Sequence, residues 1–497
     1  GYKALCTANL PDPTIADGSK YFDTKLYTGN GGTQTISGLN FSPDLTWFKK
    51  RGGSGIARGH ALQDIVRGAG KTLESHSTSA EYSDVNALTS FNSDGFSIGS
   101  EDRVNENGGA YAAWAWDAGS SNTTIAAGGL NSSLYDQSQT WSSGTFFNAN
   151  GNAFYNSGGS AAQLFDNVES APGSTGDFAL PVDGGTFTLT FSQFSSAQTV
   201  ELEVEGTGNA LKINGSFVTI PSGSPATATY SVSGLTTIEW LYNGGSNYCY
   251  LGSIKVDGAK LIDSGVSVTN VPSIASTVRA NPSAGFSIVS ATAPSSNTSF
   301  SLGHGLNAAP SFIIFRQRAA SNWAVYHSAL ASAETKYLHL NSSNAEGTAA
   351  VWNNTAPTSS VFESTMSGNW DLGADMIAYC FAPVEGYSAF GSYTGNGSAD
   401  GPCVFTGFRP RWLLIKRSDA AGNWIVIDTA RSTYNATTTQ LLPHLTDGDY
   451  VNANEALDIV SNGFKPRSAN SGHHNISGAT YIYYAVAEHP FKNSRAR

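Results

Sequence analysis

Tyr27-Thr28-Gly29-Asn30-Gly31, followed by Gly38-Leu39, Pro43 and the run Leu45-Thr46-Trp47-Phe48-Lys49-Lys50-Arg51, is the stretch that decides the fold, because it returns. Tyr393-Thr394-Gly395-Asn396-Gly397 leads in the same way to Gly407-Phe408, Pro410 and Trp412-Leu413-Leu414-Ile415-Lys416-Arg417. A looser copy runs from Gly305-Leu306 and Pro310 into Phe312-Ile313-Ile314-Phe315-Arg316-Gln317-Arg318. The copies also continue alike. Asn322-Trp323-Ala324-Val325 matches Asn423-Trp424-Ile425-Val426, and Asp64 to Arg67 matches Asp428 to Arg431. Phe91 to Phe96 echoes Val460 to Phe464. Each copy closes on an aromatic-alanine strand, at Tyr111 to Trp116, Ile377 to Ala382 and Tyr481 to Ala487.

This repeat has a physical reading. Gly-Asn-Gly supplies the positive backbone dihedrals of a turn, and proline opens a strand without owing its ladder a donor. An apolar run of four or five residues ending in Lys or Arg is the pattern of a buried strand that emerges into water. Alanines in the closing strand leave room for the large rings beside them. The expected class is all-β, with three related antiparallel β-sandwich units of about 100 residues each, and only short helical turns near Ala329 to Lys336.

Residues 131–266 lack the repeat. Phe187 to Phe191, Val200 to Glu205, Ala226 to Val232 and Thr237 to Tyr242 largely alternate apolar and polar positions, as half-buried strands do. A separate, jelly-roll-like sandwich is expected there, ending in two strands joined by Asp257-Gly258. The divisions expected are a connector at 1–20, unit one at 21–118, a linker at 119–130 and the inserted sandwich at 131–266. A connector at 267–285, unit two at 286–385 and unit three at 386–497 follow. Ser/Asn/Thr/Gly/Ala-rich stretches at 119–130 and 290–301 read as connectors or loops.

Composition agrees with exposed β-structure. The 497 residues are 40% hydrophobic and 13% charged, with 54 glycines and 2 methionines, so Ser, Thr, Asn and Gly must supply the polar surface. A net charge of −11 disfavours nucleic acid as a general partner. No apolar run reaches the roughly 18 to 20 residues of a membrane-spanning helix, so no membrane insertion is expected, and no basic-then-hydrophobic secretory signal stands at the N-terminus. Cys6, Cys249, Cys380 and Cys403 form no C-x-x-C pair, and Cys249 and Cys380 read as small buried hydrophobes.

Motifs that suggest enzyme chemistry are incomplete, and no catalytic residue, cofactor or metal is expected. Ala69-Gly70-Lys71-Thr72 lacks the leading glycine of a phosphate loop, since Ile65 stands there. Asp447-Gly448-Asp449 lacks the remaining ligands of a calcium loop. Gly95-Phe96-Ser97-Ile98-Gly99 is not followed by the helix that a nucleophile elbow needs, and the recurrence of Gly-Phe-Ser-Ile at 285–288 suggests a repeated strand start. Glu201, Glu203 and Glu205 share one strand face and read as a solvated stripe. His473, His474 and His489 lack metal-ligand spacing and read as structural.

Candidate receptor or glycan contacts are aromatic and amide residues in polar loops. One group is Trp141, Phe146, Phe147, Phe154 and Tyr155. The other is Tyr242, Asn243, Asn247, Tyr248 and Tyr250.

Gly1 to Ile15, the segment from Tyr27 to Trp47, and Tyr481 to Phe491 resemble a family of tail-fibre-like proteins of marine bacteriophages, cyanophages among them. The resemblance covers units one and three well and unit two weakly. In that family such a segment often follows a lectin-like SPRY domain, which implies a further portion upstream of Gly1. The resemblance implies a virion protein, a tail-fibre or spike subunit at the particle surface that attaches to the host. Expected partners are other virion proteins, a host-surface glycan or protein, and further copies of the chain in a homotrimer. A glycan-degrading tailspike, a capsid decoration protein and a bacterial surface adhesin are the alternatives.

Overall fold

The computed structural model describes residues 14–53, 55–129, 135–136, 140–141, 147–150, 164–167, 181–221, 226–244, 246–264, 266, 270–296, 298–365 and 371–489, with the backbone alone at 147–150 and 489. The chain is all-β and divides into two compact units. The body comprises residues 1–125 and 275–497, and the insert residues 126–274.

Within the body one sheet order occurs three times. In the first repeat the opening strand Phe22–Thr28 pairs with the closing strand Gly109–Trp116, which pairs with the core strand Leu45–Gly53 and then Ala61–Asp64. The second repeat uses Phe286–Thr292, Asp375–Phe381, Phe312–Gln317 and Ala324–His327 in the same order. The third uses Ser388–Thr394, Thr480–His489, Arg409–Arg417 and Trp424–Asp428. Register makes the repeats comparable residue by residue. Leu45, Phe312 and Trp412 oppose Trp116, Phe381 and Val486 on one side, and Asp64, His327 and Asp428 on the other. A small second sheet lies over each large one, formed in the first repeat by Gln34–Ile36, Gly95–Ile98 and Leu88–Asn92.

The runs 45–48, 312–315 and 412–415 of the core strands are fully buried because both their faces are covered. Phe48 and Ala113 pack against Ile36, Leu88, Phe96 and Ile98 of the small sheet. The other face meets the neighbouring repeats, where Trp116 lies 5.7 Å from Trp412 and 6.3 Å from Phe381, and Phe381 lies 5.1 Å from Tyr484. These rings surround an apolar space no larger than one water. Burying each ring contributes about 1.5–3 kcal/mol.

The repeats form a closed ring, each docking a loop on the next. Glu81 N donates to Arg318 O at 2.7 Å, Glu346 N to Ser418 O at 2.9 Å, and Asp449 N to Arg51 O at 2.7 Å. The basic residues that end the apolar runs serve these seams. Lys49, Arg316 and Lys416 do not emerge into water; all three are fully buried. Lys49 Nζ donates to Thr446 O at 2.8 Å, Arg316 Nη2 to Ser79 O at 2.8 Å, and Lys416 Nζ to Ser343 O at 3.3 Å. A long side chain with several donors on its tip reaches the loop carbonyls of another repeat.

The Tyr-Thr-Gly-Asn-Gly motif locks the turn after the opening strand. Asn30 N donates to Asn105 Oδ1 at 2.9 Å, and Asn396 N to Asn475 Oδ1 at 3.0 Å. A Cβ on Gly29 would stand 2.2 Å from Glu106 O, and one on Gly395 2.3 Å from Ile476 O.

Thr123–Ile125 and Ser276–Asn281 are antiparallel neighbours that extend the second repeat's sheet. The insert therefore leaves and rejoins the body on adjacent strands. It holds two five-stranded sheets with a shared core that includes Phe187, Leu202, Trp240 and Ile254. The Asp257-Gly258 turn has positive φ at both residues, 51° and 82°, as a tight hairpin requires. Cys249 and Cys380 are buried, and Cys403 is exposed. The helical turn expected near Ala329 to Lys336 is a single 3-10 turn, Ala333–Thr335. Of the stretch read as connector at 290–301, both ends belong to strands.

Candidate functional site

The insert's strand Ala197–Thr207 lies between Ala226–Ser233 and Tyr248–Val256. Alternation sends Val200, Leu202 and Val204 into the core, with Cys249, Leu251 and Ile254 from the neighbouring strand. Glu201, Glu203 and Glu205 stand half-buried on the opposite face. Glu201 pairs with Lys255 at 2.7 Å, and Glu203 accepts from Ser253 Oγ at 3.3 Å. Glu205 opposes Tyr250 across the ladder, and its Oε2 is buried without a hydrogen-bond partner.

Tyr248 and Tyr250 alternate with the buried Cys249, so both rings leave the core on the face that carries Glu205. They lie edge to face at 5.7 Å. Tyr242 bridges to Tyr248 and so ties the ends of the two sheets together. Asn243 N donates to Asn247 O at 2.9 Å, closing the loop between them. Asn247 Oδ1 accepts from Asn209 N at 3.1 Å. Tyr242, Tyr248 and Tyr250 are half-buried, and Asn243 is exposed. The structure thus assembles this group at one end of the sandwich, with Asn247 committed to holding the loop.

The first group of candidates does not assemble in the same way. Trp141 is fully buried, stacked 6.4 Å from Phe194 and 6.3 Å from Phe165, with its indole donating to Asp136 O at 3.1 Å. It is a core residue and offers no ring face to a ligand. Phe147 lies on the strand Phe147–Asn150, of which the backbone alone is described. Phe146, Phe154 and Tyr155 lie outside the described residues.

Elsewhere the titratable groups are tied into the structure. His473 Nδ1 meets Gln440 Oε1 at 2.6 Å and its Nε2 meets Asn423 Nδ2 at 2.9 Å, while His474 Nε2 meets Glu455 O at 3.1 Å. Among the described residues no group of three His, Cys, Asp or Glu side chains could hold a metal; the His489 side chain lies outside them. Asp449 of the Asp-Gly-Asp sequence binds Arg51 at 2.8 Å and Arg431 at 3.1 Å, which gives that motif a role at a seam. Ser97 lies on an ordinary strand, its Oγ 3.0 Å from Thr35 Oγ1. The second Gly-Phe-Ser-Ile begins the opening strand of repeat two, so the two copies are not equivalent positions. No helix is long and apolar enough to cross a membrane among the described residues.

Reading the sequence alone overlooked the seam residues. Lys49, Arg316 and Lys416 recur at one register position, and that recurrence was the available signal.

A ring of three β repeats carrying an inserted β-sandwich is the class of protein these features define. The chain matches the family described as Domain of unknown function (DUF7483) over residues 17–163 and 224–490. It belongs to that family. The break in the match falls inside the insert. No curated protein matches the chain.

Proposed function

We propose that the chain is a structural and adhesive subunit of a virion fibre or spike, with the ring as rigid support and the insert as the part that binds a host-surface glycan. The observation that carries the adhesive half is the end of the insert where Tyr248, Tyr250 and exposed Asn243 gather beside Glu205. Aromatic faces give a sugar ring its apolar contact, while amide and carboxylate oxygens take its hydroxyl hydrogen bonds. Strands fixed by a packed core hold these groups in place, as a binding site requires. The virion half is supported by the resemblance of the motifs from Tyr27 to Trp47 and from Tyr481 to Phe491 to tail-fibre-like proteins. Three repeats of one chain cover one another's rings, and further copies in a homotrimer complete the proposed fibre or spike.

Gold-labelled antibodies against the chain, applied to purified particles of the virus that encodes it, test this placement. Label on fibres or spikes supports it. Label on the capsid shell turns the reading to a decoration protein, and unlabelled particles overturn it.

A further inference from the structure

The three seams of the ring share a geometry, and at one position the seam between the third and first repeats differs in chemistry from the other two. Trp323 Nε1 donates to Glu74 O of the first repeat at 2.8 Å, and Trp424 Nε1 donates to His339 O of the second at 2.9 Å. Each tryptophan stands two residues before Val325 or Val426, which oppose Ile314 and Leu414. In the first repeat Leu62 opposes Trp47, and the residue two before it is His60. At the seam between the third and first repeats an imidazole therefore stands where the other seams have an indole.

His60 is fully buried and lies 6.0 Å from the Trp114 ring, nearly parallel to it. Its Nδ1 is 2.9 Å from Trp47 Nε1. An indole nitrogen only donates, so Nδ1 must be the acceptor and the neutral ring carries its proton on Nε2. That Nε2 is buried with no partner. A second proton would go on Nδ1, where it would turn the acceptor into a donor facing the Trp47 N–H.

The surroundings oppose that proton as well. Lys49, His76, Arg431 and His444 act on the ring, and all are bases. The nearby carboxylates are engaged elsewhere. Asp428 holds Arg431 at 2.6 Å and Trp114 at 3.1 Å, Asp449 holds Arg51 and Arg431, Asp447 acts on Lys49, and Glu74 lies 3.6 Å from His76. The same seam is the one the chain never crosses in sequence order: it runs from the first repeat to the second and from the second to the third. The seam between repeats two and three also buries a histidine, His327, but its Nε2 has Tyr483 O at 2.9 Å.

We propose that the seam between the third and first repeats is a proton-operated latch, shut while His60 accepts the Trp47 N–H and released when His60 is protonated. Burial first, and then the four neighbouring bases, hold the His60 imidazole well below its ordinary range. A base depressed by folding contributes stability that is complete above the unfolded value, about pH 6.5, and is lost as pH falls below it. Acid therefore opens this seam while leaving the seam between repeats one and two, where the non-titrating Trp323 stands at the His60 position, in place.

Amide exchange of the full chain, read by mass spectrometry at pH 7.5 and pH 5 and corrected for intrinsic rates, tests the latch. Peptides containing Arg51 or Asp449 are expected to exchange about thirtyfold faster at pH 5, the linkage of a base whose unfolded value lies about 1.5 pH units higher, with peptides around Glu81 and Arg318 unchanged. His60→Trp installs the residue of the other seams, and His60→Gln keeps a polar group that does not titrate; each is expected to abolish the difference. Equal exchange at both seams, an unchanged third-to-first seam, or a pH response that survives in either folded variant overturns the proposal.

Discussion

The Trp114 indole donates to the Asp428 carboxylate at 3.1 Å, joining the closing strand of the first repeat to the third repeat across 314 residues of sequence. Tyr379, which holds the Trp114 position in the second repeat, donates to Asp64 of the first at 2.8 Å. At the remaining seam His327, the equivalent of both aspartates, meets Tyr483 O. One register position on each fourth strand thus grips the closing strand of another repeat, and the three grips run round the ring in one direction.

Asp428→Ala is expected to destabilise the chain by about 3–5 kcal/mol, because it removes the closer of the two carboxylates that hold Arg431 in a buried site, where both side chains are fully covered. The midpoint of urea unfolding, at unchanged slope, measures this. Asp64→Ala should behave alike through Arg67.

The Asp428 carboxyl also links stability to acid. Burial alone would raise its pKa, but the Arg431 guanidinium overrides this and holds it below the usual carboxylate range. A depressed acid contributes stability above its unfolded value, about pH 3.9, and loses it as pH falls further. Thermal melts of the parent chain should fall steeply below pH 4, and Asp428→Asn should lose the part of that slope owed to this residue. This window lies below the one assigned to His60, so the two effects separate on one pH series.

Gly29→Ala and Gly395→Ala are each expected to cost about 2 kcal/mol or more, since the added methyl lands against the backbone carbonyls of Glu106 and Ile476. Gly472→Ala is the control, with nothing within 4 Å of its Cβ. Melting temperatures of the three variants compare them directly.

Trp412 packs against Trp114, Trp116, Phe22 and Tyr484, and so touches the first repeat as well as its own. Trp412→Ala should cost about 3–5 kcal/mol. Because the repeats share this centre, circular dichroism and tryptophan fluorescence should still report one transition for the body rather than a stepwise loss of repeats.

Much of the architecture was legible because the repeat preserves the residues that do local work. Gly29 and Asn30 mark a turn that other residues cannot make, and the run from Leu45 to Phe48 marks a strand covered on both faces. The insert showed itself by a change of period from continuous apolar runs to alternation at Val200 to Glu205. Long-range pairing was not legible. Nothing near Lys49 in sequence says that its ammonium ends on Thr446 O, so its place at the end of an apolar run read as emergence into water. Trp141 was misread for a related reason: Ser and Gly neighbours suggest a loop, while its stacking on Phe165 and Phe194 comes from residues far along the chain. Tyr248 and Tyr250 could be placed from alternation around Cys249, although the place of Tyr250 opposite Glu205 could not.

A glycan array bearing surface polysaccharides of marine bacteria, probed with the labelled full chain and with its Tyr248→Ala/Tyr250→Ala form, tests the central claim most directly. The expected result is binding of the parent chain to a defined set of glycans, a loss of about tenfold or more in the double variant, as two lost stacking contacts would give, and unchanged melting of that variant. Glycans left unbound by the parent chain, or bound equally by both forms, would contradict the account.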